Sequence, residues 1–333
     1  MNILLTLDYE LYFGSNSGTQ DKSIIYPTNR VLTILDEYNI KASFFVDSGY
    51  LIKLNEYRKQ YEVLEDDYGK IISQIKSLSD NGHDIQLHIH PHWEDSYYNG
   101  SKWILDTTRY RLHEFSEVEI DDIVYRHKTV LTDIVGDKVF AYRAGGWCIQ
   151  PFDKLKNALK KHDIWLDSTV FEGGKNKSAT HYFDFTNAPK KDIWRFEDDP
   201  LVENQSGSFT EVPIGSHRVS PLFFWKLAFA KKLGGDKHKG FGDGSAAGGS
   251  KWNKIRMLAR WTHSVVSVDG YKASYLQDAF GKFCKNKDNK YFVIIGHPKA
   301  MSEYSLKKLE EFIEKNKENN FITYSKLFMD GKS

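Results

Sequence analysis

The chain has 333 residues, enough for one large α/β domain or two modest ones at roughly 150 residues per domain. Hydrophobic residues make up 40% and aromatics 14%, so a sizeable core is expected. The 46 Lys and Arg nearly cancel the 45 Asp and Glu, a balance that speaks against a nucleic-acid binder or an anionic-membrane binder.

Cys148 and Cys284 show no ligand-type spacing, so free thiols in a reducing compartment are expected. The opening "MNILLTLDYE" reaches an acidic residue at position 8, without a basic start or a long apolar run, and does not read as a signal peptide. No window approaches the roughly 18 to 20 apolar residues of a membrane span. A cytoplasmic protein is the expectation.

In chain order, "NILLTL" (2–7) reads as a buried strand, followed by a helix from Pro27 with Val31, Ile34, Leu35 and Tyr38 on one face. "KASFFV" (41–46) is the second strand. Ile71, Ile72, Ile75 and Leu78 stripe a helix that Asn81 and Gly82 close. "DIQLHIH" (84–90) is the third strand and 118–135 the next helix. A strand at 139–142, a helix from Pro151 to His162 and a strand at 164–170 continue the alternation. It returns at "YFVIIGH" (291–297), with a helix from Leu306 to Lys317 and a short strand, "NFITY", after it. This is the βα signature of a mostly parallel sheet, here an incomplete barrel of about seven strands. Between these blocks the pattern decays. There "KKLGGDKHK" (231–239) reads as a solvated loop, and "GFGDGSAAGGSK" (240–251) lacks the ending of a phosphate-cradling loop.

In parallel α/β folds the chemistry sits at the carboxyl ends of the strands. Asp8 and Glu10 end the first strand, Asp47 the second, the histidines the third, Arg143 the fourth and His297 the C-terminal one, while Asp167 lies in the fifth. "HIHPH" places His88, His90 and His92 within five positions. Strand alternation keeps all three on one face, and Pro91 ends the strand, leaving His88 and His92 as an i,i+4 pair able to chelate a borderline ion such as zinc. Asp8 and Glu10 point one way and Tyr9 the other. One carboxylate is expected on the metal and the other as general base. Trp93 and Trp147 are candidates for substrate binding by stacking, Asp47 for a substrate contact, and Asp167 for tuning a catalytic partner. His83 is expected to be a structural hydrogen-bonder, and His113, His127 and His162 to be solvated.

These motifs resemble the polysaccharide deacetylases of the NodB homology type. "TLDYE" (6–10) is similar to their first motif, "GHDIQLHIHPH" (82–92) to their second, "YRAGGW" (142–147) to their third, "IWLDST" (164–169) to the following strand and "VIIGHP" (293–298) to their last. "LDYELYFG", "FFVDSGYL", "QLHIHPHW" and "IGHPK" further resemble a subgroup of O-antigen and surface-polysaccharide biosynthesis. The resemblance covers roughly 1–175 and 285–325 and implies a single-domain distorted (β/α)7 barrel over 1–333, with an insertion at 176–285. It implies a metal, expected to be zinc, on His88 and His92, with Asp8 as base, Arg143 orienting it and His297 as general acid. The family's aspartate ligand falls at Tyr9, so Glu10 or Asp8 must supply the third ligand, Glu10 being the expected one. The implied activity is hydrolysis of an N-acetyl or other acyl group from a nucleotide- or lipid-linked sugar. Two alternatives remain open: a glycoside hydrolase pairing Asp8 or Glu10 with Asp167, and a catalytically silent carbohydrate binder.

Overall fold

The computed structural model describes residues 1–246 and 251–328. Its first strand, β1 (Asn2–Tyr9), is buried along nearly its whole length, as a central parallel strand must be. α1 (Tyr26–Glu37) follows a single π-helical turn at Asp21–Ile25, and Pro27 sits in its first turn, where a missing N–H costs nothing. Then come β2 (Ser43–Asp47), α2 (Ser48–Tyr57), α3 (Glu62–Asp80) and β3 (Asp84–Ile89). α4 (Glu117–Val135) starts at a capping box, Ser116 with Glu119, and ends at Gly136 with φ 78°. β4 (Ala141–Ala144) sits two residues later than the sequence suggests, and α5 (Lys156–Lys161) and β5 (Leu166–Asp167) are shorter. The rest of 164–170 leaves the ladder to feed the site.

The stretch 176–285 divides between the sheet and an outer layer. β6 (Trp194–Phe196) and β7 (Phe209–Glu211) join the main sheet. β8 (Ser216–Val219) pairs antiparallel with β9 (Thr262–Val265), and α6 (Pro221–Leu233) and α7 (Lys251–Ala259) lie between them in sequence. Residues 247–250 of the glycine-rich loop lie outside the described residues. α8 (Leu276–Phe283), β10 (Tyr291–Gly296), α9 (Glu303–Lys315), β11 (Asn320–Phe321) and α10 (Tyr324–Phe328) complete the described residues.

The sheet runs β6-β7-β5-β4-β3-β2-β1-β10, with β11 on the first residues of β1; every pairing is parallel except β6 with β7. It is a curled, incomplete α/β barrel. The gap beside β10 is laced by backbone bonds from Gly215 N to Val293 O (2.9 Å), Val266 N to Gly215 O (2.7 Å) and Ile295 N to Val266 O (3.0 Å).

Alternation sorts the core into two faces. Ile3, Leu5, Leu7, Phe44 and Val46 face the helices, whereas Leu4, Phe45, Leu166, Val293 and Tyr324 fill the barrel interior. The inward row of β1 therefore reads Leu4, Thr6, Asp8 and then Glu10, apolar at the bottom and acidic at the top. Register places Asp47 beside His88 and His88 beside Arg143, so three polar residues meet at one level of the sheet.

Candidate active site

Asp8 and Glu10 reach the top of the barrel interior because Tyr9 takes the other face. There Tyr9 packs against Phe44 and donates its hydroxyl to Gln74 Oε1 at 2.8 Å. Arg143 crosses beneath them, fully buried over the Phe45 ring, and donates to Asp8 Oδ1 at 2.5 Å, Thr6 Oγ1 at 2.9 Å and Ser168 O at 2.7 Å. Three donors in a rigid fork fix both the arginine and the carboxylate.

Glu10 Oε2 lies 3.1 Å from His88 Nε2 and 2.7 Å from His90 Nε2. These three residues offer ligand atoms within 4.8 Å of one another, the one such group among the described residues. His88 Nδ1 sits 2.8 Å from the Arg143 carbonyl, which leaves Nε2 for a ligand. The His90 ring lies against Phe13, centroids 4.0 Å apart, in a slot that Gly145 keeps open: a Cβ there would stand 2.6 Å from His90 Nδ1.

His92 does not join them, contrary to the i,i+4 expectation. The strand continues through Ile89, so His90 still follows the alternation that points His88 inward. The 3-10 turn Pro91–Glu94 then rotates His92 away. His92 is wholly buried among Phe13, Trp93 and Tyr110, and neither ring nitrogen has a partner among the described residues. Burial holds its pKa well below the usual imidazole range.

His297 follows β10. Its Nε2 is 3.5 Å from Asp8 Oδ2 and 3.7 Å from Glu10 Oε1, and its Nδ1 is 2.8 Å from Asp269 Oδ2. Asp269 also accepts from the His297 backbone N–H at 2.7 Å, locking the ring. Burial opposes the imidazolium, but Asp269, then Asp8 and Glu10, outweigh it and raise the His297 pKa to about 9. Lys299 Nζ donates to Glu10 Oε1 at 2.8 Å and to the Leu11 carbonyl, and lies over the Tyr12 and Phe13 rings. Burial alone would raise the Glu10 pKa, but the Lys299 ammonium, then His90 and His88, hold it well below the carboxylate range. His90, by contrast, is pushed down to about 4 by burial and stays a neutral imidazole with a lone pair to offer.

Asp8, Glu10, Phe13, His88, His90 and His297 surround a cavity of about 140 Å³, whose mouth is framed by Tyr110, Gly146, Trp147 and His181. Gly146 has φ 59°, and a Cβ there would meet His181 at 2.8 Å. Trp147 is half-buried at this mouth, edge-on to Phe171 and Phe183.

Three sequence candidates lie off the cavity. Trp93 is fully buried in a cluster with Tyr50, Trp103 and His92, and donates its indole N–H to Asp47 Oδ2 at 2.6 Å, so it has no face to offer a sugar. Asp47 is sealed behind His88, and burial first of all raises its pKa to about 7. Asp167 accepts from Thr169 N at 3.0 Å and Thr169 Oγ1 at 2.8 Å, and Thr169 Oγ1 in turn receives the Ala144 N–H at 2.9 Å. Its other neighbour is the buried Glu211 carboxyl, with burial raising the pKa of both. The carboxylate pairing of the glycoside hydrolase alternative thus has no second member at the cavity.

Asp269 and Lys299 were not foreseen. Lys299 was within reach, two residues past His297 across Pro298. Asp269 has no sequence signal, because it arrives from the segment that laces the barrel gap. His83 does accept the Ala42 N–H at 3.0 Å, but His127, expected in solvent, is wholly buried between Ser48 Oγ (2.9 Å) and Glu94 (3.1 Å).

An open α/β barrel carries a carboxylate and two imidazoles converging at its mouth, beside an Arg-held aspartate and an Asp-held histidine. Residues 21–164 match the family model described as polysaccharide deacetylase. The matched span holds His88, His90 and Arg143, whereas Asp8, Glu10 and His297 lie outside it. Among solved structures the chain is similar to a Mycobacterium smegmatis protein assigned as a polysaccharide deacetylase, at 18% identity and a TM-score of 0.52, covering 98% of this chain and 88% of that one. It is similar also to Puue allantoinase, at 12% identity and a TM-score of 0.51, covering 97% and 87%. At these identities the likeness is one of fold. A search of curated proteins found no match.

Proposed function

We propose that the chain is a metal-dependent carbohydrate deacetylase that removes an N-acetyl, or another acyl, group from a sugar intermediate of surface-polysaccharide biosynthesis. The observation that carries this reading is the convergence of Glu10, His88 and His90 beside Asp8 and His297 around one small cavity. The donor set, one carboxylate and two neutral-capable imidazoles, fits zinc and leaves a position open. When bound, such an ion supplies Lewis acidity and lowers the pKa of water.

The chain's own residues supply the rest. Asp8, its Oδ1 held by Arg143, presents Oδ2 to the cavity to accept the proton of the attacking water. His297, charged and braced by Asp269, hands a proton to the departing amine nitrogen as the C–N bond breaks. The cavity is smaller than the roughly 300–1,000 Å³ of sites that enclose a whole ligand. It therefore suits the acyl group, with the sugar outside against Trp147 and Tyr110. A nucleotide- or lipid-linked sugar of O-antigen type fits the sequence resemblance, and the free thiols Cys148 and Cys284 support a reducing compartment such as the cytoplasm.

Elemental analysis of the purified protein, combined with acetate release from UDP-linked and lipid-linked N-acetyl sugars, tests this. One divalent ion per chain and chelator-sensitive acetate release are expected. Undiminished acetate release from metal-free protein overturns the metal assignment, and glycosidic cleavage without acetate overturns the reaction.

A further inference from the structure

α6 is apolar on two faces. Phe223 and Phe224 are buried with Val219, against Leu258 and Tyr275. Leu222, Trp225, Phe229 and Leu233, spaced by three, four and four, form a second stripe that faces solvent. With Ile255 of α7 and Trp261 just beyond it, these side chains are 48% to 73% exposed. Trp225 Nε1 donates to Leu258 O at 3.2 Å and holds the two helices side by side. Single exposed apolar residues are ordinary, but five on one helical pair, with Trp261 just beyond, are not.

The charge is just as uneven. Residues 221–260 contain nine Lys or Arg against two Asp, a net of +7 in a chain whose total is +1. The near-neutral total that spoke against an anionic partner conceals this. At the helical repeat, Lys226 and Lys232 flank the exposed stripe on either side, and both are exposed.

We propose that the α6–α7 pair is a membrane-docking surface that lies in the headgroup layer of an anionic bilayer. The aromatic and aliphatic stripe enters the acyl boundary while the flanking lysines meet lipid phosphates, the arrangement of an interfacial helix. No helix among the described residues is long and apolar enough to cross a membrane. A second copy docked face to face would set one +7 segment against another, and an acidic protein would leave the exposed aromatic stripe unexplained. The segment leaving α6 also touches the catalytic mouth: Gly242 N donates to Lys299 O at 2.9 Å and Gly14 N to Ser245 O at 2.9 Å, next to the cavity residue Phe13. Docking would thus bring the cavity close to the lipid surface. The inference does not rest on the chemistry assigned to that cavity.

Co-sedimentation of the full chain with vesicles of phosphatidylcholine, with and without phosphatidylglycerol, tests it. Binding is expected only with phosphatidylglycerol and should weaken steeply with salt. Phe229→Ser with Leu233→Ser should abolish binding, and Lys226→Glu with Lys232→Glu should weaken it roughly tenfold or more, both with an unchanged circular dichroism spectrum. Failure of the wild-type chain to bind either vesicle overturns the proposal. So does a lipid-free dimer, seen by sedimentation equilibrium, that the Phe229 and Leu233 changes disrupt.

Discussion

Two buried carboxyl pairs stand at strand ends of this barrel, and they behave in opposite ways. Asp8 and Glu10 face a cavity among Arg143, Lys299, His88, His90 and His297, and Lys299, His90 and His88 outweigh burial to hold Glu10 well below its ordinary pKa. Asp167 and Glu211 face each other, with Arg143 as a weaker influence, and burial drives both upward. The depth is similar and only the company differs. An ionised carboxylate among imidazoles suits the ligand role proposed for Glu10; a buried carboxyl pair whose pKa values are both raised suits a clamp between strands. Burial of acidic residues at the right end of the sheet is therefore a weaker sign of chemistry than the charge of what surrounds them.

The sharpest way to break this comparison is one substitution made in both places. Glu10→Gln removes the proposed ligand and leaves the Lys299 ammonium buried without its counter-charge. Acetate release should fall on the order of 10³-fold, and denaturant melts should show a loss of about 3 kcal/mol or more. A variant that keeps its metal and its rate would place Glu10 with the structural pair. Next in size, His90→Ala should lower metal affinity by at least about a hundredfold, whereas His92→Leu should keep the metal and change stability by no more than about 1.5 kcal/mol. Metal content after dialysis decides between the two imidazoles.

Asp269→Asn is expected to reduce kcat roughly 10- to 100-fold and to move the alkaline limb of the pH profile. In the proposed reaction His297 acts in its protonated form, so activity is expected to persist up to its raised pKa of about 9. Without the Asp269 charge that pKa falls and the active range contracts from the alkaline side. An unmoved limb would mean that Asp269 only packs the ring.

The smallest effect belongs to Glu211→Gln, which replaces a protonated carboxyl by an amide of equal size. Activity should change by less than about twofold. A carboxyl whose folded pKa is raised contributes stability below its unfolded pKa and loses that contribution as pH rises through the folded value. Wild type should therefore lose stability from mildly acidic pH upward, and the variant should lose less. Paired melts across that range read the difference.

Much of this was legible in the sequence, for physical reasons that can be named. Period-two alternation placed Asp8 and Glu10 together and Tyr9 opposite, and the strand-end rule located Arg143 and His297. The choice of His92 over His90 failed at the turn: His90 keeps the inward alternation of the strand, and the 3-10 turn from Pro91 rotates His92 away rather than back beside His88. Trp93 and Asp47 were misplaced because sequence shows that an aromatic or an acid lies near a strand end, not which side of the turn it takes. Asp269 was invisible, since its approach depends on how a long segment closes the barrel gap. The docking stripe on α6 was present as "PLFFWKLAFAKK", but total charge averaged away the local excess.

Lys299 bears on how the protein matures. Its ammonium already occupies one oxygen of Glu10 and turns the other towards the two imidazoles. The acidic end of β1 is thus neutralised from within the chain, and folding need not wait for an ion to arrive. The newly made polypeptide can reach its final shape first and acquire the proposed metal afterwards, so that starvation for that metal would yield a silent but intact reserve rather than a misfolded one.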